Sequence, residues 1–207
     1  MKIVVLVSGG GTNLQAIIDK MEAGKIRGGE ISAVISSNPE AYALERARKH
    51  NIPGIVVNRK SYKTKEQYSS ALLSEINKIA PDLIVLAGFM CIISGEIIER
   101  YKNRIMNVHP ALIPSFCGDG FYGLKVHEKA LEYGVRLTGA TVHFVSEVCD
   151  GGPIILQKAV EIKEDDTPEI LQERVMKEAE WEILPKAIDL FCNNKIEVFG
   201  RKVLIKE

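Results

Sequence analysis

The sequence predicts an α/β fold: a doubly wound, mostly parallel sheet of the nucleotide-binding type, with antiparallel strands in its C-terminal part. Three observations carry this. Short apolar runs recur that are hydrophobic on both faces, as in strands covered on both sides. Segments with helical spacing separate them, which gives parallel crossovers. Beyond residue 110 the order changes, and two strand-like stretches flank a tight Asp-Gly-Gly-Pro turn.

Each element has its own signal. Residues 2–7 form a β-branched run, and 13–23 show helical spacing through Leu14, Ile17, Ile18 and Met21. A strand over 30–36, a helix over 41–50 and a short strand over 55–57 follow. A helix over 64–79 is stopped by Pro81, and 82–87 is a continuous apolar strand. A helix over 94–101 leads to a strand over 104–108. Residues 111–124, rich in Pro, Gly and aromatics, read as a long loop before a helix over 125–133. The strand over 138–146 is expected to alternate, and the one over 154–162 begins apolar. Between them lies Asp150-Gly151-Gly152-Pro153. Thr167 is a candidate N-cap, with Pro168 opening one long amphipathic helix that ends at Phe191. The tail forms a hairpin of 197–199 and 202–205 turning at Gly200-Arg201. With no repeat or linker, residues 1–207 are expected to form a single domain, with a nucleotide-fold half (1–110) and a second half (111–207).

Lys plus Arg and Asp plus Glu are 27 each, and this balance excludes a general nucleic-acid or membrane-surface binder. Ile3 to Val7 is too short for a signal sequence, and no apolar run approaches the roughly 18 residues of a membrane span. A cytoplasmic protein is expected. Cys91, Cys117, Cys149 and Cys192 are scattered and form no Cys-x-x-Cys pair, so they read as free thiols in or near the core.

Ligands of such sheets bind beyond the C-terminal strand ends. After the first strand comes Ser8-Gly9-Gly10-Gly11-Thr12-Asn13 and then a helix. Glycines admit a ligand to the backbone, and a helix N-terminus favours an anion. The dinucleotide fingerprint is absent: Leu14 stands at its third glycine, and the second strand ends in Ile35-Ser36-Ser37-Asn38 without an acid. The P-loop Lys-Ser/Thr is also missing, so a phosphomonoester fits better; the alternative is a bare Gly-rich turn. Gly88 to Ile93, after the fourth strand, reads either as the wall of a flat-ring pocket or as plain core. Asn107 and His109, two apart on the fifth strand, point to one side. Together they can donate to a developing oxyanion, and His109 can carry protons; the alternative is a buried structural histidine. Asp150 is either a turn residue or a carboxylate partner that raises the His109 pKa above its ordinary value. His127 and His143 read as structural, and His50 as a capping or surface residue.

The combination of Ser8–Asn13, Ala87–Met90, Asn107–Pro110 and Thr138–Pro153 resembles the phosphoribosylglycinamide formyltransferase family, from residue 1 to about residue 190. The resemblance implies a formyltransferase-type Rossmann-like fold. It also implies transfer of a formyl group from 10-formyltetrahydrofolate to the amine of glycinamide ribonucleotide in purine synthesis. Carried over by position, Gly11, Thr12 and Asn13 lie on the ribonucleotide phosphate loop, and Glu180 contacts the ribose. Met90, Cys91, Ile92 and Ile93 line the folate pocket, with Lys65 nearby. Asn107 contacts folate and stabilises the oxyanion, His109 is the proton donor, and Asp150 raises its pKa. No metal is implied. The implied partners are small molecules, not nucleic acid or membrane, in a monomer or homodimer.

Three departures stand out. Cys91 replaces an Arg common in relatives, and the Ser115–Gly123 loop is a few residues longer. Trp181 stands where relatives often carry His, with one extra residue in the helix before it. Two sister activities are expected to be absent. Formyltetrahydrofolate hydrolases carry an N-terminal regulatory domain, for which a first strand at Ile3 leaves no room. Methionyl-tRNA formyltransferases add a C-terminal RNA-binding domain and lack the Gly-rich loop.

Overall fold

The computed structural model describes residues 1–206. In chain order the strands are β1 (Lys2–Val7), β2 (Glu30–Ser36), β3 (Gly54–Val56), β4 (Leu83–Leu86), β5 (Ile105–His109), β6 (Leu137–Phe144), β7 (Ile154–Glu161), β8 (Ile196–Phe199) and β9 (Lys202–Ile205). The helices are α1 (Thr12–Glu22), α2 (Tyr42–Lys49), α3 (Lys65–Ile79), α4 (Gly95–Arg100), α5 (Leu124–Tyr133), α6 (Pro168–Val175) and α7 (Trp181–Cys192). Seven strands form one sheet in the order β3-β2-β1-β4-β5-β6-β7, and β8-β9 make a separate hairpin. No helix among the described residues is long and apolar enough to cross a membrane.

The chain divides into two compact units, Met1–Met106 and Asn107–Glu207. In the first, β1 pairs in parallel with β2 and with β4, and β2 with β3. Ile3 to Val7 are wholly buried, as are Leu83 to Val85 on β4. That explains why both runs are apolar without alternation. Thr64 caps α3 through the Gln67 N–H. That helix ends at Ala80, in left-handed conformation, just before Pro81. Because β1 and β4 are neighbours while the chain winds outward from each, the strand order reverses between them. The loops leaving those two strands therefore flank a topological switch point.

In the second unit β6 pairs antiparallel with β7. The expectation for these two strands is reversed. From Thr138 to Phe144 every residue of β6 is buried, whereas β7 alternates between buried and open positions along the sheet edge. An interior strand has no solvated face, so polar residues such as Thr141 must be satisfied inside. Thr141 Oγ1 donates to the Ala111 carbonyl and accepts from the Ile113 N–H, and Gln157 Nε2 donates to the Ile113 carbonyl. This network anchors the start of the 111–123 loop, which has neither helix nor strand.

The expected single helix over 168–191 is three pieces. Thr167 caps α6 through the Ile170 N–H, with Pro168 in the first turn. Met176–Glu180 then form a π turn, and α7 follows with Pro185 inside it. A π turn takes one residue more than an α turn, so this stretch holds one residue beyond regular α spacing ahead of Trp181. Pro185 has no N–H to offer the Trp181 carbonyl, which loosens the same stretch.

The turn between β6 and β7 depends on Gly152. A Cβ there would lie 1.7 Å from the Phe144 carbonyl oxygen. Gly152→Ala should therefore cost about 2–3 kcal/mol by overpacking. Urea unfolding measures this, and a change under about 0.5 kcal/mol would show that the turn yields freely.

Candidate active site

In the first unit the two switch-point loops are joined. The Ser8 N–H donates to the Gly88 carbonyl at 3.1 Å, and Ser8 Oγ accepts from the Met90 N–H at 2.9 Å. Ser8 Oγ also meets Ser37 Oγ, after β2, at 2.6 Å. The Gly-rich loop then enters α1 through Gly11, which is left-handed (φ 72°). A Cβ on Gly11 would stand 2.6 Å from Ala43 Cβ, so α2 packs where any other side chain would be. Gly9 and Gly10 differ, since a Cβ on either meets nothing within 4 Å. They border open space. The N-cap Gly11 offers no side-chain cap to α1, and the first turn of the helix holds no acid to offset its positive end.

Residues 88–93 are for the most part open rather than packed as core. Met90 is 61% and Ile92 76% exposed, whereas only Ile93 is buried like core. Adjacent exposed apolar side chains at a strand end are suited to cover a flat, apolar ligand. Cys91 is half-buried and lies beside Tyr68, which is buried on α3. Burial, with the Cys91 thiol adding to it, raises the Tyr68 pKa. The Tyr68 hydroxyl has no hydrogen-bond partner among the described residues. Lys65 is the exposed first residue of the same helix, one turn before Tyr68.

In the second unit Asn107, His109 and Asp150 come together, and His143 joins them. His109 Nδ1 and His143 Nε2 each lie 3.5 Å from a different oxygen of the Asp150 carboxylate. Asn107 Nδ2 lies 3.3 Å from His143 Nε2. Both imidazoles are buried, at 4% and 2% exposure. Their outer nitrogens are fixed by carbonyls: His109 Nε2 donates to Phe116 at 2.8 Å, and His143 Nδ1 to Phe144 at 2.9 Å. The Gly118 N–H donates to Asp150 Oδ2 at 2.9 Å. The longer loop is thus built into the site through Phe116 and Gly118. It is braced by Phe116 packing edge-on to Tyr133. His143, expected to be structural, stands within this cluster, which the sequence alone does not show. The available signal was its position one residue before β6 ends, within the Thr138–Pro153 stretch.

The expected effect of Asp150 on His109 needs correction. Burial holds His109 below its ordinary pKa; Asp150 and the Phe116 carbonyl pull upward without overcoming it, and His143 adds to the lowering. Burial pushes the Asp150 carboxyl up. His143, His109 and the Gly118 N–H outweigh burial and keep it below the usual carboxylate range. At neutral pH the pair is therefore a carboxylate beside a neutral imidazole. With Nε2–H engaged by Phe116, the Nδ1 lone pair faces Asp150, which stabilises any proton that Nδ1 acquires.

His127, on α5, is wholly buried, and neither ring nitrogen has a hydrogen-bond partner among the described residues. Burial, then the nearby His109, pushes its pKa down to about 4. Glu180, last in the π turn, is buried at 6% exposure, while Trp181 after it is half-buried. None of the four cysteines forms a disulfide; of them only Cys192 is buried, and Cys149 is exposed. Among the described residues no three His, Cys, Asp or Glu side chains converge as a metal-binding set.

These placements generate three measurable outcomes. Gly11→Ala should lower the thermal midpoint, because α2 must move, whereas Gly10→Ala should leave it unchanged; equal shifts would contradict the geometry. Asp150→Asn should lower the His109 pKa further, read by NMR titration of the imidazole, and a raised value would reverse the assignment of charge. His127 has a folded pKa below its unfolded one, so the unfolded state takes up the proton first. The stability it contributes is full above pH 6.5 and lost as pH falls toward about 4, a difference of about 3 kcal/mol. His127→Gln should flatten the stability-against-pH curve across that window. An unchanged slope would remove His127 as its source.

Comparison with known proteins agrees with this architecture. The formyl transferase family model matches residues 1–188. The phosphoribosylglycinamide formyltransferase of Escherichia coli K12 is 40% identical over 198 residues, which are 96% of this chain and 90% of that protein. The human trifunctional purine biosynthetic protein adenosine-3 is 41% identical over 95% of this chain, yet the chain spans only 19% of that longer protein. The crystal structure of glycinamide ribonucleotide transformylase 1 from Symbiobacterium toebii superposes with a TM-score of 0.93 at 41% identity, covering 100% of this chain and 94% of that one. On a family model matched over most of the sequence, and a relative matched along nearly its whole length, this chain belongs to the formyl transferase family.

Proposed function

We propose that the protein transfers a formyl group from 10-formyltetrahydrofolate to the amine of glycinamide ribonucleotide, as a cytoplasmic enzyme of purine synthesis. One observation supports this most: a buried carboxylate between two imidazoles, with a carboxamide in reach, at the end of a sheet strand. The Gly-rich loop takes the ribonucleotide phosphate through Gly11, Thr12 and Asn13, with Glu180 at the ribose. Met90, Cys91, Ile92 and Ile93 cover the folate ring, and Lys65 attracts the acidic part of that co-substrate. Exposed Met90 and Ile92 fit this role, and no metal is required.

The resting protonation sets the order of steps. The neutral amine attacks the formyl carbon, and the carbonyl oxygen becomes an oxyanion that receives an N–H from Asn107. The attacking nitrogen, now cationic, passes a proton by way of the Asp150 carboxylate to Nδ1 of neutral His109. Asp150 stabilises the imidazolium as it forms. His109 returns that proton by the same route, and it reaches the departing folate nitrogen. The carbon–nitrogen bond to folate breaks, and the proton count is restored. A lowered His109 pKa suits this sequence, since the group must begin without the proton that it later donates.

The deciding assay mixes glycinamide ribonucleotide with 10-formyltetrahydrofolate, alongside water-only and initiator-tRNA acceptors. Formylation of the ribonucleotide alone is expected, and turnover with water or tRNA in its place would replace the proposal. His109→Asn should lower kcat by about 10²- to 10⁴-fold while ribonucleotide binding persists. Near-normal turnover in that variant would remove His109 from the chemistry.

A further inference from the structure

Arg46 has no part in the mechanism above, yet it grips the Gly-rich loop. It lies on α2, half-buried, with Cζ 5.1 Å from the centre of the Tyr42 ring. Its Nε donates to the Gly10 carbonyl at 2.8 Å, and Nη1 donates to Gln15 Oε1 at 3.1 Å. The neighbouring carbonyls are also held: Gly9 accepts from the Ala43 N–H at 3.1 Å, and Gly11 from the Gln15 N–H at 2.9 Å. Three consecutive glycine carbonyls are thereby tied to α1 or α2. The N–H groups of Gly10 and Gly11 donate to no other described residue.

A trans peptide points its C=O and the following N–H in opposite directions. Fixing the Gly10 carbonyl against Arg46 therefore turns the Gly11 N–H the other way, out of the α2 contact. In a run of glycines a peptide plane flips easily, because no Cβ opposes the rotation. A flipped plane would present a carbonyl oxygen, which repels an anion. Arg46 is itself held in place. Gln15 Nε2 donates to Asp19 Oδ1 at 2.8 Å and meets His50 Nε2 at 3.1 Å, and His50 Nδ1 meets Glu22 at 2.6 Å.

We propose that Arg46 is the positioning residue of the phosphate loop: it holds the Gly10 carbonyl so that the Gly11 N–H stays turned toward the substrate phosphate. This rests on the reading of the loop as the phosphate site. Arg46 acts through the loop and does not touch the reacting atoms.

The test uses the intact protein, with inorganic phosphate and glycinamide ribonucleotide as probes. Arg46→Met keeps an unbranched stem over Tyr42 and removes the donors. It should raise the phosphate Kd and the ribonucleotide KM together, by about tenfold, the worth of one hydrogen bond to a charged group. The kcat and the KM for the formyl donor should stay within about twofold. Arg46→Lys, which keeps one flexible donor group, should restore part of the loss and guards against a variant that fails to fold. Unchanged Kd and KM in a folded Arg46→Met would overturn the role of Arg46 and leave the loop reading standing. A uniform loss in kcat and both KM values would also overturn it, as general loosening. If phosphate neither binds the wild-type protein nor competes with the ribonucleotide, the loop reading falls and takes the Arg46 role with it.

Discussion

Removing an ionised carboxylate from water costs several kcal/mol unless partners replace the lost hydration. Asp150 is such a group, with a side chain only 9% exposed, and most of the second unit is arranged around it. Two imidazoles face its two oxygens, and the loop after Phe116 supplies a backbone N–H. Asp150 itself is left-handed (φ 51°), which turns the chain sharply before Gly151. Gly152 packs directly on the Phe144 carbonyl, and Arg201, at the tip of the β8–β9 hairpin, donates to the Gly151 carbonyl. Strand end, long loop, hairpin turn and C-terminal hairpin thus converge on a single negative charge. The same burial that makes the charge costly also keeps His109 neutral, so the catalytic proposal and the folding constraint share one cause.

On the proposed reading, the first unit receives the phosphate on a loop that carries no formal charge of its own. Ser8 links the loops after β1 and β4, and Gly11 lets α2 approach to contact distance. The carbonyl oxygens of Gly9, Gly10 and Gly11 are then all turned to the helices. The polar residues responsible, Arg46 and Gln15, are far from the loop in sequence or face away from it. None carries a motif of its own.

Fold class was legible because burial on both faces leaves a plain record. Ile3 to Val7 and residues 82–87 had no polar alternation to explain, and Thr64, Pro81, Thr167 and Pro168 mark helix ends by local chemistry. Two features were misread for a shared reason: the pattern depends on neighbours that only the fold supplies. Strand β6 looks alternating because it contains threonines and a histidine, yet the wholly buried Thr141 is satisfied by Ala111, Ile113 and the edge-strand Gln157. His143 looked structural because its partners, Asn107 and Asp150, lie on other segments. For His109 the sequence pairs it with a carboxylate and so points upward in pKa. Burial, which cannot be read from a tripeptide, acts in the opposite direction and outweighs it.

The π turn between α6 and α7 has a bearing on how such chains diverge. An α-helix that gains a residue must either rotate everything beyond it by about 100° or store the surplus in one widened turn. Here one widened turn lies between α6 and α7, and the five residues Met176–Glu180 belong to neither repeat. Positions inside that turn have no one-to-one counterpart in a shorter helix. Equivalence of Glu180 with an acid in a relative is then a matter of where its carboxylate stands in space, and counting along the chain cannot decide it. Helical insertions of this kind let a lineage lengthen a wall of its binding site by one side chain while its core goes unrevised.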